Sequence, residues 1–175
     1  MSARSLVPLL ATLLAAHAAP LAAQSPPAAQ VPAAEMDSLL SRLVGRWRMT
    51  GSVRGRPAAY VLEAARVLRG RFVELHMTDV ATPSAYEARV FIGVDSAGGR
   101  YVAHWLDDFG AGYSIPHASG RAHGDTLVLD FPYPAGAFRD TFAYDRAADA
   151  WRFTLEAADS SGGWRLFAEY AVRRD

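Results

Sequence analysis

The sequence predicts an all-β fold, a single closed antiparallel meander barrel of about ten strands preceded by one short N-terminal helix. Three observations carry this. From Trp47 onward apolar residues recur with period two, the signature of strands with one dry and one wet face. Turn-forming residues separate these runs at intervals of roughly 10–15 residues, as in sandwiches and barrels. Every connection is hairpin-short, and closing such a meander on itself removes its unpaired edges.

The elements follow in chain order. Residues 1–34 stand apart, with no aromatic before Trp47 and no charged residue between Arg4 and Glu35. Arg4, the apolar run Leu6 to Ala16 and the small residues up to Ala23 have the layout of a signal peptide. Residues 1–23 are therefore expected to be removed after Ala23, with Ala18 the second choice, and the protein to be exported to the periplasm or beyond. Pro8, His17 and Pro20 interrupt the stretch, and a membrane span needs about 20 apolar residues, so no span is expected after cleavage. Residues 24–34 are uncharged and Pro/Ala-rich, and read as a disordered tether. The barrel domain is expected over 35–175.

Within it, Met36, Leu39, Leu40, Leu43 and Val44 share one face of a helix over Glu35–Val44, with Asp37 or Ser38 as its cap and Gly45 at its end. Strands are expected near 46–54, 58–68, 71–80, 86–94, 100–107, 112–122, 126–131, 137–144, 150–157 and 164–173. The alternation is clearest in three places. Phe138, Phe142 and Tyr144 share a face. Trp151, Phe153 and Leu155 alternate with Arg152, Thr154 and Glu156. Trp164, Leu166, Ala168, Tyr170 and Val172 alternate with polar or smaller neighbours. Between strands lie Arg54-Gly55, Arg69-Gly70, Thr82-Pro83, Gly98-Gly99, Gly124-Asp125 and Gly162-Gly163, each a turn signal. Gly70 is expected to supply a positive φ, and Arg66 to pair with Glu74 across its hairpin.

Composition excludes several functions. All 18 basic residues are Arg and they balance 18 acids, which is not the basic face of a nucleic-acid binder. The absence of cysteine and lysine removes thiol catalysis, cysteine-based zinc sites, disulfides, Schiff bases and a P-loop. His76, His104, His117 and His123 fall on different strands; Glu74 and His76 share a face, a geometry open to metal binding, but there is no H-x-H, HExxH or carboxylate-rich loop beside them, so no metal is expected. There is no G-x-S-x-G. Ser114 and His117 have nothing to orient them. Asp107 and Asp108 point to opposite faces, and Gly110-Ala111-Gly112 reads as a turn rather than a dinucleotide loop. These features count against an enzyme, and no cofactor or catalytic residue is assigned.

The most site-like stretch is His104-Trp105-Leu106-Asp107-Asp108. Period two aligns Tyr101, Ala103, Trp105 and Asp107 on one face and His104 and Leu106 on the other. Asp107 reads either as a polar fixture in an apolar pocket or as a strand-end carboxylate bonded to the next turn, where Phe109 and Gly110 lie.

The helix running into Gly45-x-Trp47 resembles the lipocalin and calycin superfamily. In that superfamily the tryptophan plugs one end of the barrel and a basic residue of the last strand packs over it. The resemblance assigns that part to Arg173 or Arg174, with Arg173 the first choice. Over residues 38–173 the chain is similar to the domain-of-unknown-function 1579 family of bacteria. The carrying residues are Gly45-x-Trp47-x-x-x-Gly51, Arg66-Val67-Leu68-x-Gly70-Arg71-Phe72-x-Glu74, Ile92-Gly93-x-Asp95 and Tyr101-x-x-x-Trp105-x-Asp107. Gly45, Trp47, Gly51 and Gly70 are expected to be structural. Nitrobindin, a related ten-strand barrel, also opens with G-x-W and holds haem through a histidine near its C-terminal strands. The last three strands here carry none, so haem is not expected.

Three readings of function remain. The first is an exported barrel that binds a small hydrophobic or amphipathic ligand, lined by Trp105, Asp107, His104, Phe142, Trp151, Phe153, Trp164 and Tyr170. The second is a filled barrel acting through its surface in the envelope. The third is an acid–base isomerase or hydrolase using an interior carboxylate or histidine. Large inward side chains are enough to fill a small barrel, which is what separates the first reading from the second.

Overall fold

A computed structural model describes residues 33–114 and 117–175. The stretches expected as signal peptide and most of the tether lie outside these residues. A helix, α1 (Ala33–Ser41), precedes ten strands: β1 (Gly45–Val53), β2 (Arg56–Val67), β3 (Phe72–Asp79), β4 (Glu87–Asp95), β5 (Arg100–Asp107), β6 (Ala118–His123), β7 (Thr126–Phe131), β8 (Phe138–Asp145), β9 (Ala150–Ala158) and β10 (Trp164–Arg174). Each strand pairs antiparallel with the next, and β10 pairs with β1 to close the barrel. The alternating residues face inward as expected: Trp47 and Met49, Tyr60 and Leu62, Val73, Leu75 and Met77, Leu127 and Leu129 are all buried.

Three details differ from the sequence reading. The sixth strand begins at Ala118 rather than near 112, because Ala111–Tyr113 forms a single 3-10 turn, and only Tyr101–Ala103 of β5 find partners on β6. The helix begins at Ala33, so Asp37 and Ser38 lie inside it and do not cap it. Arg66 does not pair with Glu74. Register sets Glu74 opposite Ala65 and Arg66 opposite Val73, so the two side chains leave on opposite faces. Arg66 instead reaches the helix, donating to Asp37 Oδ1 at 2.6 Å, Ser41 Oγ at 2.6 Å and the Gly70 carbonyl at 3.1 Å. Glu74 accepts from Arg89 at 2.5 Å. Gly70 does take a positive φ, of 77°.

The apolar face of α1 (Met36, Leu39, Leu40) and Leu43 just after it close one end of the barrel. Trp47 fastens this plug. Its ring is fully buried, its indole N–H donates to the Leu43 carbonyl at 2.7 Å, and the Arg174 guanidinium lies 3.7 Å from the ring centroid. The cation over the tryptophan is thus Arg174 and not Arg173. Antiparallel register sets Arg174 opposite Trp47 and Arg173 opposite the outward Arg48. Gly45 makes room for it: with φ at 139°, a Cβ there would fall 2.1 Å from Arg174 Nη1. Gly51 serves the same seam, since its Cβ would lie 1.9 Å from the Glu169 carbonyl oxygen of β10.

Arg174→Ala is expected to lower unfolding free energy by about 1–2 kcal/mol, the scale of a partly desolvated cation–π contact. Arg173→Ala should leave it unchanged. Urea unfolding of the two variants side by side checks this assignment.

Candidate functional site

Among the described residues no helix plugs the end opposite α1, and residues of six strands and two connections meet there. They form a collar of aromatic rings in edge or stacked contact. Tyr60 meets Tyr170 at 5.6 Å and Tyr86 at 5.9 Å. Trp105 lies 6.3 Å from Phe131 and 6.4 Å from Phe153. Tyr133 stacks on Phe131 at 5.6 Å and meets Phe138 at 6.1 Å, and Phe138 meets Phe167 at 5.2 Å. One layer deeper, Phe142 stacks on Phe153 at 4.0 Å, so the middle of the barrel is filled by rings.

Two carboxyl groups interrupt this apolar lining. Asp107, at the end of β5, bonds both to two collar side chains and to the turn that follows it. Its Oδ2 accepts from the Tyr86 hydroxyl and the Trp105 indole, each at 3.2 Å. Its Oδ1 accepts the Phe109 backbone N–H at 3.2 Å, so the same residue ties the following turn to the collar. Burial, reinforced by the Asp107 charge, pushes the Tyr86 hydroxyl far above its ordinary range and keeps it protonated as a donor.

Asp140 is the second, and the one buried charged residue among those described, at 2% exposure. It stands between Leu129 of β7 and Leu155 of β9, with Phe138 and Phe142 two residues away on its own strand. No described group hydrogen-bonds to it. Desolvation, with a smaller push from Asp130, raises its carboxyl well above the usual range, which favours the protonated form. Burial pushes the Tyr133 hydroxyl up to about 12 and raises that of Tyr170 as well.

The mouth opens on the side of β8, β9 and β10 as a cleft of about 570 Å³ between Arg54, the 135–138 segment, Ala157, Ala158 and Arg165–Phe167. Phe138 is part of its wall and Asp140 is the next inward residue along the same strand. Across the mouth, Phe109 and Tyr113 are 70% and 66% exposed on the β5–β6 connection, and Phe109 leans on Tyr86 at 5.6 Å.

Of the residues expected to line a ligand site, Trp105, Asp107, Phe153 and Tyr170 are brought together here, with Phe142 beneath them. Trp151 is at the other end, inward beside Tyr144 at 4.8 Å, its buried indole N–H without an acceptor among the described residues. His104 points outward, as its place in the alternation requires, with its ring 5.6 Å from that of His117. Trp164 is also outside, 36% exposed, with the Arg139 guanidinium 4.2 Å from its ring. A register shift between Leu166 and Ala168 makes Phe167 an extra residue and reverses the alternation before it. Sequence reasoning passed over Asp140, Tyr60, Tyr86, Tyr133, Arg54 and Arg165. Asp140 had a signal, because it sits between Phe138 and Phe142 on the inward phase. Among the described residues no three His, Asp or Glu side chains converge as metal ligands. Glu74 is engaged by Arg89, and His76 by Glu87 at 2.7 Å. No described helix is long and apolar enough to cross a membrane.

A closed ten-strand antiparallel barrel, plugged by a helix and a G-x-W tryptophan at one end and open through an aromatic collar at the other, is calycin-like in architecture. The chain belongs to the family described as "Protein of unknown function (DUF1579)", which matches residues 32–174. Among solved structures it is similar to Rv2717c from M. tuberculosis, at 18% identity over 84% of this chain and 99% of that one, with a TM-score of 0.55. That similarity shows the fold. No curated protein sequence matches.

The unpaired buried carboxyl gives a pH test. Between about pH 4 and the folded-state pKa of Asp140, the unfolded chain has released this proton and the folded chain has kept it. The group therefore lowers stability as pH rises, with a slope approaching 1.4 kcal/mol per pH unit. Relative to wild type, Asp140→Asn should be equally stable near pH 3 and should gain steadily above pH 4 until the Asp140 pKa is passed. Thermal unfolding of both proteins across pH 3–8 measures the difference.

Proposed function

We propose that this protein is an exported binding barrel whose mouth takes a small amphipathic molecule. The observation that carries the reading is the cleft of about 570 Å³ beside Phe138 and Phe167, a volume within the range of small-molecule sites. Its apolar wall continues into the aromatic collar, and a few polar groups (Asp140, Asp107 and the collar tyrosines) stand at fixed places in it. The stacked rings below the collar keep the ligand at the mouth rather than along the barrel axis. Export is supported by the signal-peptide layout of residues 1–23.

The exposed Phe109 and Tyr113 favour a second reading, a surface contact made through the β5–β6 connection. The acid–base reading is weaker. Asp140 has a raised pKa but no described side chain is hydrogen-bonded to it as a proton partner.

Native mass spectrometry of the mature protein from the exported fraction, before and after organic extraction, tests the leading reading. A reproducible adduct lost on extraction is expected, and Ala157→Trp, which fills the cleft, should abolish it. An apo mass throughout, or an adduct unaffected by Ala157→Trp but lost in Phe109→Ser, would move the activity to the surface.

A further inference from the structure

We infer that the mouth cleft is selective for an anionic headgroup, a carboxylate, sulfonate or phosphate on an apolar body, held between Arg54 and Arg165. The inference rests on the binding reading above and adds the charge of the ligand to it.

Both guanidiniums border the cleft, and no acidic residue does. Each is put there by a specific backbone device. Arg54 and Gly55, with φ of 50° and 76°, make a tight hairpin turn between β1 and β2. The Arg54 backbone N–H is fastened to the Phe167 carbonyl at 2.7 Å, and its guanidinium lies 4.9 Å from the Phe167 ring centroid. Arg165 is on the inward phase of β10, opposite Ala157, which is in turn opposite Phe138, because the extra residue at Phe167 shifts the register.

Of the carboxylates around them, Glu156 stands opposite Leu166 on the outward phase of β9, and three others are already engaged. Glu169 pairs with Arg152 at 3.6 Å, and Asp130 with Arg139 at 2.8 Å. Asp159 is turned into its own hairpin, where its Oδ1 accepts the Ser161 N–H at 2.8 Å and the Gly163 N–H at 2.9 Å. Arg165 is the weakest of the groups that hold that carboxyl low. Neither Arg54 nor Arg165 has an ion-pair partner among the described residues; the same holds for Arg42, Arg56, Arg69, Arg71, Arg121 and Arg173, and what sets the two apart is their place on the cleft. Two cations over an apolar wall, without a carboxylate of their own, are complementary to an amphipathic anion.

Isothermal titration calorimetry with dodecanoate, dodecanol and dodecylammonium, below their aggregation concentrations, separates the headgroup from the chain. Dodecanoate is expected to bind at least tenfold tighter than the other two, and its advantage should shrink as salt is raised. Arg54→Gln combined with Arg165→Gln should bring it down to the affinity that dodecanol has for the same variant. Arg54→Lys and Arg165→Lys should restore part of the preference. Equal binding of dodecanol or dodecylammonium in the unmodified protein, or a preference that survives the double Gln variant, overturns the anion inference and leaves the binding reading standing. If none of the three binds in a manner blocked by Ala157→Trp, and native mass spectra show no adduct, the binding reading falls with it.

Discussion

A closed barrel has no sheet edges to protect, but its two ends must be covered, and the strand that closes it must pair on both sides. In this protein both requirements meet at Trp47. β1 is hydrogen-bonded to β2 and β10, and the Trp47 indole fills the end of the barrel under α1 while bonding to the chain that links helix and strand. Arg174 covers its other face from the last strand. One side chain therefore ties the N-terminal plug, the first strand and the C-terminal strand together. Its removal would leave a cavity at their junction, a defect of about 3–5 kcal/mol for a buried tryptophan. Gly45 and Gly51 have no side chain because this seam leaves room for none.

The two ends treat most of their polar groups differently. At the plugged end polar side chains reach the helix: the Tyr101 hydroxyl donates to the Met36 carbonyl at 3.1 Å, and Arg66 holds Asp37 and Ser41 as well as the Gly70 carbonyl, while the Trp151 indole N–H finds no acceptor among the described residues. At the mouth the corresponding groups bond to each other, as Tyr86, Trp105 and Asp107 do, or to nothing described, as with Asp140. A barrel selected only for stability would place an apolar residue between Leu129 and Leu155, because a buried carboxyl without a donor is destabilising even when neutral. Such a local loss, on the strand that walls the cleft, is the kind that proteins retain at working sites.

Much of this was legible in the sequence. Ten period-two runs separated by turn residues specify the strands and their order, since hairpin-short connections leave only neighbours to pair with. The face of Tyr101, Trp105 and Asp107 followed from the same rule, as did the outward place of His104. What could not be read depends on geometry that period two does not encode. Arg173 and Arg174 are adjacent, and only the register of β10 on β1 decides which of them meets Trp47. Arg66 and Glu74 look like a cross-hairpin pair until register sends them to opposite faces. Tyr86 lies outside any strand, and enters the site because Asp107 accepts its hydroxyl.

The largest departure, at Trp164, coincides with the candidate site for a physical reason. Without an extra residue in β10, the phase of Ala168, Tyr170 and Val172 would run on unbroken. It would set Leu166 and Trp164 inward and Arg165 outward. The mouth would then be filled by an indole, and one of its two cations would be lost to the outer surface. Inserting Phe167 reverses that phase. Trp164 moves outside, where it packs under Arg139. Arg165 turns toward the mouth, and Phe167 itself becomes wall against Phe138 and a platform for Arg54. A bulge costs a ladder hydrogen bond and bends its strand, so it persists where the re-aimed side chains matter. The residue that breaks the alternation is the one that opens the cleft, and the failure of the simple periodic rule on β10 is itself a pointer to the site.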